Sequence, residues 1–185
     1  MPQQGFSLIE LLMGLAIAGI VLHLVIPTFA TLIESNHREQ AAKALFSGIR
    51  SARSEAIVRN QAVVIHAIDG DWSQGWRIIL DISGKGYKDR DNPLLAERRS
   101  GTRVPIVGNG PVDRFVRFSS QGEPMFAKGR WQGGTLHVCS VHEPVSQYQV
   151  VLAPSGRVSL RSEKAAQALC EARKKLRAPS ARAAL

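Results

Sequence analysis

Cysteine is scarce: Cys139 and Cys170 are the only two in 185 residues, and no C-x-x-C pair is present, so neither a cysteine zinc site nor a redox dithiol is indicated. Aromatic residues make up only 6% of the chain. That supplies about one ring per predicted strand, so Trp72, Trp76, Phe115, Phe118 and Trp131 are assigned to core or sheet packing, and no base-stacking platform is read. The H-E-x-x-H and G-x-S-x-G patterns are missing, and His37, His66, His137 and His142 stand singly on the chain. Asp81, Ser83 and Gly86 outline a calcium loop, but Lys85 occupies a ligand position and no glutamate closes it. "GKGYKD" lacks the last glycine of a nucleotide fingerprint. No catalytic residue, metal site or cofactor is therefore expected, and the chain is read as structural rather than enzymatic.

What is present is a globular composition, 44% apolar and 21% charged, with an unevenly placed excess of cations. The net charge is +9, and the stretch from Arg157 to Leu185 holds eight Lys/Arg against two Glu, hence +6 of it. Such a basic end suits a polyanion or an acidic partner, or is simply solvated.

Charge is also absent from Leu11 to Ile33, 23 residues without Asp, Glu, Lys or Arg. As a helix this run spans about 35 Å, enough for a hydrocarbon layer of about 30 Å. It has neither the basic n-region nor the small-residue cut site behind it that mark an ordinary secretory signal. One carboxylate, Glu10, stands just before it, although a carboxylate at bilayer depth costs about 2.5 to 3.5 kcal/mol.

The arrangement Gly5-Phe6-Ser7-Leu8-Ile9-Glu10 resembles the type IV prepilin signal. The resemblance implies that a prepilin peptidase cuts between Gly5 and Phe6, methylates the new Phe6 amine and leaves the apolar helix on the protein. Glu10 then becomes the fifth residue of the mature chain, where such proteins carry a glutamate that meets the N-terminal amine of a neighbouring subunit. A paired charge of this kind sets register. The plainer reading is a glutamate stabilised by the helix dipole and its own nearby amine. Pro27 is expected to kink the helix, because it has no N–H to donate. His23 is read as facing other helices. The leader MPQQ has no Lys or Arg while Arg38 and Lys43 follow the span, so a periplasmic C-terminal domain is what the resemblance implies, not the charge rule.

Beyond the span, Ala41, Leu45, Ile49, Ala52 and Ala56 form a helical stripe, with Glu39–Lys43 and Glu55–Arg59 as i,i+4 pairs on other faces; the helix is predicted to end near Asn60. From Gln61 the period shortens. "AVVIHAI", "WRIILDI", "RVPIV", "FVRFS", "TLHVCSV" and "YQVVLA" read as strands of a mainly antiparallel sheet, with a polar loop from Ser83 to Arg103. "SARSEAIVRNQAVVI" and "GGTLHVCS…SQYQVVLAPSGRVSL" resemble the GspH/FimT group of pseudopilins and minor pilins.

In an exported domain of that kind Cys139 and Cys170 are expected to form a disulfide that fastens the tail to the sheet, two buried thiols being the alternative. "SGRVSLR" reads as a turn with Gly156 at positive φ, entering an edge strand protected by Arg157 and Arg161. Some minor pilins of the group are DNA receptors, and the chain resembles them through Gly156-Arg157, with Ser159 standing where their pattern has a second arginine. On that reading Arg157, Arg161, Lys164, Arg173, Lys174 and Lys175, with Arg177 behind them, contact phosphates.

The expected architecture is α+β: a leader at 1–5, a transmembrane and assembly helix at 6–33, its amphipathic outer half at 34–60, a periplasmic sheet domain at 61–161 and a basic tail at 162–185. The expected function is that of a minor pilin or pseudopilin, a subunit at or near the tip of a pilus-like filament in type II secretion or type IV pilus biogenesis. Its expected partners are prepilin peptidase, other pilins and the inner membrane. DNA uptake and a membrane-tethered periplasmic enzyme are the alternatives.

Overall fold

The computed structural model describes residues 8–101 and 104–171, with side chains at all of these except 22–28 and 30. Gly5, Phe6, Arg173, Lys174, Lys175 and Arg177 lie outside the described residues, as does the side chain of Pro27. Contacts divide the chain into two units after Asn36.

The first unit is helical from Leu8, and α1 (Leu8–Val58) runs without interruption through position 27. In the second unit the stripe meets its partners. Leu45, Ile49, Ala52 and Ala56 are fully buried and Ala41 partly so, with Ala42 joining them. The pairs Glu39–Lys43 and Glu55–Arg59 form as the i,i+4 spacing predicts, each at 2.6 Å. The helix stops because Asn60 turns left-handed (φ 48°), letting the Gln61 amide donate to the Ala56 carbonyl and the Asn60 amide to Ile57.

Among the described residues nine strands follow in two antiparallel sheets. The first has the order β3-β2-β1-β5, made of β1 (Val63–Ala67), β2 (Gly75–Leu80), β3 (Leu94–Arg99) and β5 (Phe115–Phe118). The second has the order β4-β6-β7-β8, made of β4 (Ile106–Gly108), β6 (Gly134–Cys139), β7 (Val145–Leu152) and β8 (Val158–Arg161), with the short β9 (Ala165–Ala166) also on β7. Alternate residues of both sheets, among them Val63, Ile65, Val116, Leu136, Val138 and Val150, close over the α1 stripe as one core.

Trp72 stands where the sheets meet. It is buried, and its indole N–H donates to the Val112 carbonyl at 3.1 Å, while Ser73 Oγ accepts from the Ile106 amide at 2.8 Å. Trp76 lies against Gly48 of α1: a Cβ there would sit 2.5 Å from the indole nitrogen. This explains a glycine in mid-helix, where it is otherwise unfavourable.

Two expectations are corrected. The polar stretch from Ser83 to Arg103 contains β3, an edge strand whose exposed side chains hide any period. Of its stabilising pairs, Arg77–Glu97 exists only once β2 and β3 are in register, while Arg99–Glu97 joins two residues of β3 itself. Trp131 is 53% exposed and outside the core, because it lies in a bridge with Met125 at the rim of β5.

Candidate assembly face and basic sites

The large apolar side chains from Leu8 to Ile20 are 57–78% exposed, and Gly14 and Gly19 have open space around them. A surface this apolar requires lipid or other helices as its neighbour. Glu10 is exposed in the first turn, where the helix dipole favours a carboxylate. Among the described residues no helix is long and apolar enough to cross a membrane.

The predicted basic residues fall into two places. Gly156 has the positive φ its turn needs, 79°. Arg157, just before β8, lines an open groove of about 490 Å³ with Arg50 and Arg53 of α1. Arg53 is tied down, its Nε donating to the Gly122 carbonyl at 2.9 Å. Arg161 closes β8 opposite Gln149, and Lys164 follows; both are exposed.

Residues 162–171 are fastened to the second sheet. β9 pairs with β7, Gln149 Nε2 donates to the Glu163 carbonyl at 2.8 Å, and the Gln167 amide donates to the Pro144 carbonyl at 3.0 Å. Gln167 also meets the ring of His137 at 3.1 Å. Cys139 and Cys170 are disulfide-bonded, with Cα atoms 5.7 Å apart. A loop of this length contributes about 3 to 4 kcal/mol by restricting the unfolded chain.

The outer face of the first sheet joins residues named above, Asp81, His66 and Phe115, to Arg117, Asn92, Gln132, Tyr87 and Phe126, which the sequence did not single out. Asp81 is buried, its Oδ2 accepting from Arg117 Nε at 2.7 Å and its Oδ1 from the Gly86 amide at 2.8 Å. Asn92 Nδ2 donates to the Gly86 carbonyl at 2.9 Å. Gln132, fully buried, accepts from the Arg117 amide and donates to the carbonyls of Pro111 and Phe115. The suspected calcium loop is thus occupied by its own backbone and an arginine. Beside it His66, Tyr87, Phe115 and Phe126 form a row of rings with centroids 5.3–5.9 Å apart. Phe115, expected in the core, therefore faces outward with His66, its register partner on β1.

Burial lowers the pKa of His66 and of His137; at His66 the Arg77 charge adds to this and a hydrogen bond to the Ala67 carbonyl opposes it. No cluster of three His, Cys, Asp or Glu fit to hold a metal occurs among the described residues.

The family profile of the type II transport protein GspH matches residues 41–156. The chain belongs to that family. A prokaryotic N-terminal methylation motif matches residues 1–26, across Gly5, Phe6 and Glu10. Two crystal structures of the type IV minor pilin FimU from Pseudomonas aeruginosa are similar in fold. One, with a TM-score of 0.57 at 21% identity, covers 74% of this chain and 98% of that one. The other, with a TM-score of 0.52 at 20% identity, covers 70% and 98%. Among curated proteins none matches. The GspH-family chain thus has the type IV pilin fold, in a family of filament subunits rather than of enzymes.

Proposed function

We propose that this GspH-family chain is a minor pilin or pseudopilin that enters a pilus-like filament, at or near its tip, through the apolar N-terminal half of α1. The carrying observation is the methylation motif over residues 1–26 joined to a helix whose apolar side chains are bare from Leu8 to Ile20. Before assembly the run Leu11–Ile33 holds the precursor in the inner membrane as a single span, with the sheet domain periplasmic. Prepilin peptidase cuts between Gly5 and Phe6 and methylates Phe6. The Glu10 carboxylate then meets a neighbour's terminal amine, which offsets its desolvation when the register is right. Pro27 gives the helix a bend for packing in the filament.

Gly5→Leu should leave a full-length precursor on a gel, and normal processing would sink the reading. Glu10→Val should insert and be processed yet fail to enter filaments, and normal incorporation would remove the pairing role. A deletion strain that loses secreted enzymes but keeps surface pili places the chain in type II secretion, and the reverse places it in type IV pilus assembly.

A second reading, DNA uptake, is favoured by Arg157 sharing a groove with Arg50 and Arg53 and by the exposed Arg161 and Lys164, with Arg173, Lys174 and Lys175 continuing the charge. It predicts duplex binding that falls steeply with salt and with Arg157→Ala or Arg161→Ala.

A further inference from the structure

The outer face of the first sheet carries a slot of about 710 Å³ that neither role above uses. Two loops flank it, GKGYK at 84–88 and FAKGR at 126–130, and each brings one aromatic ring and two cations. Phe115 of β5 lies between them, its ring 5.3 Å from Tyr87 and 5.9 Å from Phe126. The walls are held before any ligand arrives. Tyr87 stacks on His66 at 5.4 Å, and Asp81 and Asn92 grip Gly86 beside it. The second loop is closed by the Phe126 amide donating to the Arg130 carbonyl at 2.8 Å, and the Arg130 guanidinium lies 4.8 Å above the Phe126 ring. Arg117 is engaged by Asp81, so the outward charge comes from Lys85, Lys88, Lys128 and Arg130, all exposed.

The lining selects its ligand by what it contains. Ring faces favour a flat π-system, and four cations favour anions on either side of it. Among the described residues no Asp, Glu, Asn or Gln lines the slot to hydrogen-bond the hydroxyls of a neutral sugar chain. A peptide strand cannot extend the sheet here, because the edge of β5 is taken: Phe118 bridges Pro124, and the Met125 amide donates to the Arg117 carbonyl at 2.9 Å. A duplex keeps its bases stacked inside and would meet the cations alone. We propose that this slot binds single-stranded nucleic acid, one base entering between Tyr87 and Phe126 over Phe115 while flanking phosphates meet Lys85, Lys88, Lys128 and Arg130. This is a different surface and a different ligand from the Arg157 groove, and it does not depend on the filament role.

The test uses the full chain in detergent micelles and the fluorescence anisotropy of a labelled short oligothymidylate. An abasic strand of equal length and a duplex serve as comparisons. The thymidine strand should bind at least about five-fold more tightly than the abasic one, since stacking of a base on an aromatic side chain is worth that much or more. Phe126→Ala should remove most of that difference and Phe126→Tyr should keep it. Lys88→Gln with Lys128→Gln, which alters only exposed charges, should reduce the slope of log affinity against log salt by about 0.7 for each lost contact. Arg157→Ala should leave the base-dependent difference intact. Equal binding of the abasic and thymidine strands, or an unchanged base-dependent difference in Phe126→Ala, overturns the proposal. Failure of Gly5→Leu or Glu10→Val to affect processing or assembly bears on the filament reading alone.

Discussion

On the inner face of the first sheet Val63, Ile65, Ile78 and Val116 join the α1 stripe in one apolar core. On the outer face the same strands present His66, Phe115 and Arg117 around a buried carboxylate. The inner face is held by many small, non-directional contacts, so no single side chain decides it. The outer face depends on a few directional bonds, each of which orders a loop. Losses on the first face should therefore scale with volume, and losses on the second with whether a buried polar atom keeps a partner.

The largest expected effect is on the inner side. Leu45→Ala removes a fully buried side chain where the helix meets both sheets, and should destabilise the fold by about 2 to 5 kcal/mol in urea titration. A loss of under about 1 kcal/mol would mean that the core closes freely over the gap. Next comes Arg117→Met, which keeps much of the side-chain volume but takes the guanidinium from the buried Asp81 carboxylate while the Gly86 amide still donates to it. We expect a loss of about 2 to 3 kcal/mol, below the 3 to 5 typical of a broken buried pair because water reaches the partly exposed Arg117 site. Asp81→Asn, which keeps an acceptor for Gly86 without the charge, should cost less. Equal losses in the two variants would mean that leaving the Asp81 charge unpaired adds no cost of its own.

Gly48→Ala separates packing from propensity. On a free helix the change gains about 1 kcal/mol, but here the new methyl lies 2.5 Å from the Trp76 indole nitrogen. Strain of about 1 to 3 kcal/mol should win, giving a small net loss and an altered Trp76 fluorescence. A stabilised variant with unchanged emission would show that Trp76 moves aside at no cost.

The same contrast explains what could be read from the sequence. The helix stripe from Leu45 to Ala56 carries the period of an element with one buried face, and β1 (Val63–Ala67) is a short apolar run, so both are legible without tertiary information. β3 is not, because an edge strand with charged, exposed residues has no buried period and its Arg77–Glu97 pair reaches across to β2. Tyr87 and Phe126 are single rings in polar loops 39 residues apart, and only the fold of β5 between them makes a slot. Asp81 resembled a failed metal ligand because its partner, Arg117, is 36 residues away. Spacing alone leaves Cys139 and Cys170 either paired or as two buried thiols; the pairing of β9 with β7 brings Cys170 to Cys139, where the disulfide forms.

The smallest effect tests how the outer face responds to pH. His66 stacks on Tyr87 and lies opposite Arg77 in the β1–β2 register, and burial first, then the Arg77 charge, lower its pKa below the ordinary 6.5. The folded protein thus prefers the neutral ring, whereas the unfolded chain takes up a proton near 6.5. Its contribution to stability is complete above that value and is lost as pH falls toward the lowered folded value. Urea midpoints should be flat above about pH 7 and decline below about 6.5. His66→Phe, which retains a ring for Tyr87 but cannot titrate, should flatten part of that decline. The remainder belongs in part to His137 on the second sheet, whose pKa burial also lowers. If His66→Phe falls off with acid as steeply as the parent, protonation of His66 is not what loosens the outer face, and the loss must come from groups such as His137 on the other sheet.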